Sequence, residues 1–366
     1  MTIEHLRAFA LNRSLFVPTT LAKAIENMGF VQADPIQAPA RAQDLTLRHR
    51  VQDYRAGDLE KDYAKLDVEE DFFVNYGFLP RQVYSLMHPR SGAPNWPAAR
   101  MNQALEVLAF VQKKGVVHPK EVDAAFNYGS AKNWFGGLSN ASTQLLDGMH
   151  YAGMLRVAGR SSGTRLYAAT VNAVPVAHPL DAFEALVDVV LQNYAPLPEK
   201  SLRDLVARLR YGAPQWAHLK PELVRRLPQR LPTVMVAGQR WYGVPAQDLT
   251  ESISRHADRV FLLTPFDPVV WDRLRFELFW TWSYRFEAYT PAAKRIRGYY
   301  AMPLLWRDSV IGWGNLSAKQ GRLQARLGYV SGQVPPGREF GIALEHELQS
   351  ASDFLRLTTD FEILKA

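Results

Sequence analysis

The stretch from residue 101 to residue 169 constrains this chain more than any other. "MNQALEVLAFVQKKG" carries apolar residues at helical spacing and stops at Gly115, and "HPKEVDAAF" opens a second helix with Pro119 in its first turn. "SNASTQLLDGMHYAG" supplies a third helix, and "MLRVAGRSSGTRLYAA" reads as a strand, a glycine-containing turn and a returning strand. Three helices followed by a β-hairpin is the winged-helix plan, a helix-turn-helix with an appended wing.

A looser copy runs from 180 to 247. Helices at "DAFEALVDVVLQNY", "LRDLVARLR" and "PELVRRL" lead to the hairpin "TVMVAGQRWYGVP". The N-terminal segment offers a further unit, with two short helices over 5–28 separated by Val17-Pro18, a strand at 29–34, a helix to about Arg50 and short helices over 58–88. After about residue 258 the chain changes to strands rich in aromatic and β-branched residues, "SYRFEAYT" among them, closed by the helix "GREFGIALEHELQSASDFLRL". The expected fold is therefore α+β, with tandem winged-helix motifs over 1–95, 96–175 and 176–255 followed by a small C-terminal β-barrel domain over 256–366.

The chain has 366 residues and no cysteine, which excludes disulfides, thiolate metal sites, iron–sulfur clusters and cysteine nucleophiles. "MTIEHLRAFALNRS" lacks the apolar run of a signal peptide and no segment has eighteen uninterrupted apolar residues, so a cytoplasmic, membrane-free protein is expected. The formal charge of +7 and a pI near 9.4 suit a polyanionic partner.

"GFVQADPIQAPARAQDL", residues 29–45, is the most informative stretch for chemistry. In an extended segment Val31 and Ala33 face a core while Gln32 and Asp34 share the other side, so an amide and a carboxylate converge. A structural reading competes: Asp34 as helix N-cap, Pro35 at the first helical position and Gln37 at the capping-box position. That reading leaves Gln32 unexplained.

Other motifs carry less. Gly159-Arg160-Ser161-Ser162-Gly163 matches the G-x-S-x-G pattern of serine hydrolases, but that nucleophile needs a strand-to-helix elbow and these glycines turn one strand back on another. His346-Glu347 lacks the second histidine of a zinc protease, since Ser350 stands four residues on. No phosphate-binding or dinucleotide-binding glycine motif is present. No metal site, nucleotide or other cofactor is expected.

These residues together resemble a family, the winged-helix DNA glycosylases of the interstrand-crosslink repair type, or AlkZ/YcaQ family. The resemblance covers nearly the full length and rests on "GFVQADPIQAPARAQDL", "NWFGGLSNASTQLLDGMHYAGMLRVAGRSSGTRLYA", "LLTPFDPVVWDRLR" and "YRFEAYTPAAKRIRGYYAMPLL". The family's catalytic signature is glutamine, an apolar residue, then glutamine or aspartate, and Gln32-Ala33-Asp34 matches the aspartate version. One departure bears on substrate range. Many members carry a stretch like Glu-Tyr-Trp-x-His-Glu-Ala-Ser before Leu-Pro, whereas this chain has "EDFFVNYGFLP" at 70–80, without the histidine.

The resemblance implies a monofunctional DNA glycosylase of DNA repair that hydrolyses the bond between N7-alkylated guanine and deoxyribose, with Asp34 and Gln32 catalytic. Whether interstrand crosslinks are unhooked stays open. Asp34 would stabilise the developing oxocarbenium ion and accept a proton from water, while Gln32 would hold the water or the base edge. The expected partner is double-stranded DNA, bound by a monomer. Expected contacts are Arg41, Arg48 and Arg50, then Lys132 with Arg160 and Arg165 on the wing, then Lys294, Arg295 and Arg297 on a hairpin between strands. The alternative is a non-catalytic winged-helix DNA-binding regulator.

Overall fold

The computed structural model describes residues 1–90, 95–132, 137–170, 178–248, 256 and 258–365. The domain boundaries expected at 175 and 255 lie outside these residues. The chain divides into two compact units: Met1–Leu59 with Asp188–Leu205 and Val224–Ala366, and Glu60–Val187 with Val206–Leu223.

In the second of these, the helices Ala98–Lys114, Pro119–Phe126 and Ala141–Tyr151 precede the antiparallel strands Leu155–Ser161 and Thr164–Ala169, and the short strand Val116–Val117 joins as a third. Local chemistry sets these limits. His118 accepts from the Lys120 amide while Glu121 accepts from the His118 amide, a reciprocal cap, and Asn140 caps the third helix at the Thr143 amide. Ser162 and Gly163 both have positive φ, 48° and 80°, as a two-residue hairpin turn between right-twisted strands requires. The G-x-S-x-G match therefore lies in a hairpin turn.

The same unit contains a hairpin that the sequence does not announce. In place of short helices alone, Val68–Phe72 pairs antiparallel with Tyr76–Pro80. Its three consecutive acids, Glu69, Glu70 and Asp71, are buried, and each meets a cation. Arg156 bonds Glu69 at 3.0 and 3.1 Å, Arg160 and Arg165 both bond Glu70, and Arg90 bonds Asp71 at 3.0 and 3.1 Å. Burial alone would raise the Asp71 carboxyl, but Arg90 and a 2.7 Å hydrogen bond with His88 overcome it and hold that carboxyl well below the usual range.

In the other unit, Ile3–Ser14 and Leu21–Met28 are the expected pair of short helices, the second capped by Thr20 and ended by Gly29 with φ 72°. A Cβ at Gly29 would stand 2.9 Å from Val189, so both conformation and space require glycine there. The strand after it is only Val31–Gln32, and the next helix is Ala42–Leu47, much shorter than expected. Pro35 and Pro39 explain the loss. Each removes an amide donor and keeps the residue before it, Asp34 or Ala38, out of helical conformation.

The helices Pro179–Tyr194, Glu199–Arg208 and Lys220–Arg230 repeat the three-helix order, and Thr233–Val236 pairs with Gln239–Tyr242, which Leu197–Pro198 extends.

The C-terminal strands correct the barrel expectation. They form an open five-stranded sheet in the order Val260–Leu262, Met302–Trp306, Ser309–Lys319, Arg322–Tyr329, Phe361–Lys365. Among the described residues the two edges do not pair with one another. The last strand, which the sequence reading left out, adds parallel to Arg322–Tyr329 after the helix Arg338–Phe354. "SYRFEAYT" is not a strand either, because the buried Glu287 carboxylate accepts the amides of Ile296, Arg297 and Gly298 at 2.9, 2.8 and 3.2 Å. Side-chain acceptance replaces the ladder that a strand would need. Leu11, Leu15, Phe261, Leu263, Val269, Val270 and Phe276 form a core that seats the short helix Pro268–Trp271.

Candidate active site

Gln32 ends the two-residue strand after Gly29 and is 6% exposed. Its Oε1 accepts a 2.7 Å hydrogen bond from the indole Nε1 of Trp271. An indole N–H can only donate, so the facing atom of the glutamine must be its carbonyl oxygen. The amide Nε2 is thus the end that remains, and among the described residues it has no hydrogen-bond partner. Trp271 is itself held against Tyr194, with ring centroids 5.3 Å apart.

Asp34 lies beyond the strand, half-buried. Oδ1 accepts a 2.9 Å bond from the Ile36 amide, and the Asp34 amide donates at 3.4 Å to Oε1 of the buried Gln43. No helix follows directly: the residue before Ala42–Leu47 is Arg41, so the N-cap reading of Asp34 is excluded and the carboxylate closes a local turn instead. Burial raises the Asp34 carboxyl above its ordinary value, and the Ile36 amide works against that. One oxygen is anchored. The other, Oδ2, has no hydrogen bond among the described residues.

Burial raises the phenol of Tyr300 and slight desolvation that of the exposed Tyr289, and the Asp34 charge adds to both. Trp271 and Gln43 are therefore site neighbours that sequence reasoning missed. Trp271 is 239 positions from Gln32, and no local spacing could have linked the two.

The expected DNA contacts fall into different environments. Arg48 and Arg50 point inward: Arg48 pairs with Glu347, and Arg50, 0% exposed, pairs with Asp267 through two bonds of 2.8 and 3.0 Å. Guanidiniums so placed tie elements together and present no face to a phosphate. Arg160 and Arg165 are half-buried on Glu70, and Arg165 also lies 4.5 Å over the Tyr76 ring. Lys132 ends the strand Ser130–Lys132, and its side chain lies outside the described residues. Arg41 is half-buried beside the short helix. Lys294 is exposed, Arg295 bonds the Thr290 carbonyl at 2.8 Å, and Arg297 lies 4.7 Å over Trp282. These last three stand on a loop with one turn of 3-10 helix, Ala292–Lys294, and not on a hairpin.

Among the described residues no group of three or more histidine, cysteine, aspartate or glutamate side chains could hold a metal ion. His346 has no second ligand, and Glu347 is committed to Arg48 and to the Leu262 amide.

Comparison with known proteins places this mixed α/β chain in the class of DNA glycosylases. A family model described as "DNA glycosylase AlkZ-like" matches residues 25–354. The chain belongs to the AlkZ-like DNA glycosylase family, which makes it a hydrolase acting on DNA in repair. The chain is also similar to the solved structure of the Streptomyces sahachiroi DNA glycosylase AlkZ, with a TM-score of 0.64 over 100% of both chains at 14% sequence identity. At that identity the likeness establishes the fold.

Proposed function

We propose that this glycosylase releases N7-alkylated guanine from double-stranded DNA and leaves an abasic site. The observation that carries the reading is the state of Asp34: a half-buried carboxylate with Oδ1 anchored by the Ile36 amide and Oδ2 without a hydrogen bond among the described residues, two residues from an amide oriented by Trp271.

The chemistry follows from those atoms. As the bond from C1′ to N9 breaks, its electron pair passes to the base, which is already cationic and leaves neutral without being protonated. Positive charge grows on the sugar, and the Asp34 carboxylate stabilises it in a partly dry setting. Water adds at C1′ and its proton passes to Oδ2. Gln32, its amide oriented by Trp271, donates through Nε2 to an oxygen of water, base or sugar. Neither side chain can form a Schiff base, so the product is an intact abasic site. No step calls for a metal or nucleotide.

We read the helix triplets and their hairpins as winged helices that bind the duplex, with Lys294, Arg295 and Arg41 on its phosphates. Incubation of the purified protein with duplex DNA carrying one N7-methylguanine, followed by hot alkali, tests the proposal. Base release that survives chelator, with strand breaks appearing only after alkali, supports it. Duplex binding without release would leave the regulator reading standing instead.

A further inference from the structure

Four aromatic side chains form a group that begins at Phe266, two residues before the helix that carries Trp271, the partner of Gln32. Phe266 and Phe286 meet edge to face at 5.4 Å, Phe286 meets Tyr300 in the same way at 5.4 Å, and Phe286 and Tyr289 are also T-shaped at 6.0 Å. Tyr300 is buried, with its hydroxyl 2.9 Å from that of Thr264. Tyr289 is 81% exposed.

Tyr289 is displayed by a built turn. The Thr290 amide donates to the Glu287 carbonyl at 2.9 Å, Arg295 Nε donates to the Thr290 carbonyl at 2.8 Å, and the Glu287 carboxylate gathers three amides from the far side of the loop. The ring is thus held on an exposed turn. Ile296 on the same loop is 80% exposed but has no π face to offer.

We infer that Tyr289 is the stacking surface for the damaged base and selects a cationic alkylpurine, its phenol ring lying against the base while Asp34 addresses the sugar. The inference rests on the reading of the site given above and adds its specificity-determining residue. Any purine stacks on an aromatic ring, and a positively charged one gains the attraction of the ring's negative face as well.

The full-length protein and its Tyr289→Leu and Tyr289→Phe variants test it through two readouts. The first is single-turnover release of N7-methylguanine. The second is affinity for a duplex carrying a tetrahydrofuran abasic analogue, which has no base to stack. The leucine variant should be slower by about 10-fold, the phenylalanine variant should stay within about 3-fold of wild type, and all three should bind the abasic duplex alike. A leucine variant as fast as an active wild type overturns the inference. So does a matching loss of abasic-duplex affinity, which would make Tyr289 a contact to the backbone or a filler of the gap. A wild-type protein that releases no N7-methylguanine removes the substrate reading itself and this inference with it.

Discussion

The indole of Trp271 donates to the side-chain carbonyl of Gln32 across 2.7 Å, and this bond decides what Gln32 can do. A glutamine in water offers an acceptor and a donor with equal ease. Here one lone pair of the acceptor is taken by a group that can do nothing but donate, so the amide is held in one orientation with its NH2 end turned away from the indole.

Trp271→Phe keeps the ring and removes the donor. The glutamine amide can then turn over, and single-turnover base release should fall by about 3- to 10-fold, the worth of one hydrogen bond, with DNA affinity retained. An unchanged rate in the phenylalanine variant would mean that the amide is oriented by something else.

In the proposed reaction Asp34 acts only when ionised, and burial raises its carboxyl above the ordinary range. Base release, corrected for spontaneous loss at each pH, should therefore decline as pH falls through a value higher than that of an exposed aspartate. A rate flat down to the ordinary aspartate range would show that the carboxylate is fully solvated during reaction.

Stability responds with the opposite sign. A carboxyl raised in the folded state opposes folding once it is ionised, so Asp34 destabilises fully above its raised value, and the effect fades as pH falls from there to the ordinary aspartate range and is gone below it. Asp34→Asn keeps an acceptor for the Ile36 amide and removes the buried charge. Its melting temperature at pH 7 should equal or exceed that of wild type, and the gap should close in acid.

Arg50 and Asp267 form a fully buried pair joined by two hydrogen bonds, and Asp267 also accepts the Val269 amide at the start of the helix that carries Trp271. Asp267→Asn leaves a buried guanidinium without its counter-charge and should cost about 3–5 kcal/mol in denaturant unfolding. A loss under about 1 kcal/mol would mean that water reaches the pair.

Lys294, exposed, and Arg295, half-buried over Tyr299, are proposed to meet phosphate. Replacing both by alanine should flatten the dependence of log affinity on log salt by about 2 for duplex DNA, whereas Arg297, stacked over Trp282, is better left in place. An unchanged slope would turn attention to Arg41 and Lys132.

Local signals carried much of the fold into the sequence. Thr20, Gly29, Asn140 and Gly115 mark helix ends by chemistry that acts within a few residues, and helix order with the hairpin at 155–169 followed from them. What stayed hidden depends on distant partners. Glu69-Glu70-Asp71 looks like a solvated acidic run, and only arginines at 90, 156, 160 and 165 make a buried strand of it. Arg48 and Arg50 suffer the reverse error, reading as surface cations while Glu347 and Asp267 hold them inside. Gln32 and Asp34 were legible as a pair of residue types. Their orientation was not, because Trp271 and the aromatic group around Tyr289 come from the other end of the chain.

The central claim is that Asp34 supplies the charge that breaks the glycosidic bond. Single-turnover release of N7-methylguanine from duplex DNA, measured side by side for wild type and a folded Asp34→Asn variant with DNA affinity in parallel, addresses it most directly. Asparagine fills the same space, accepts the same Ile36 hydrogen bond and carries no charge. The rate should fall by at least about 100-fold while affinity holds. A folded Asp34→Asn protein that binds equally well and releases the base at close to the wild-type rate would contradict the claim and leave Asp34 as a turn residue.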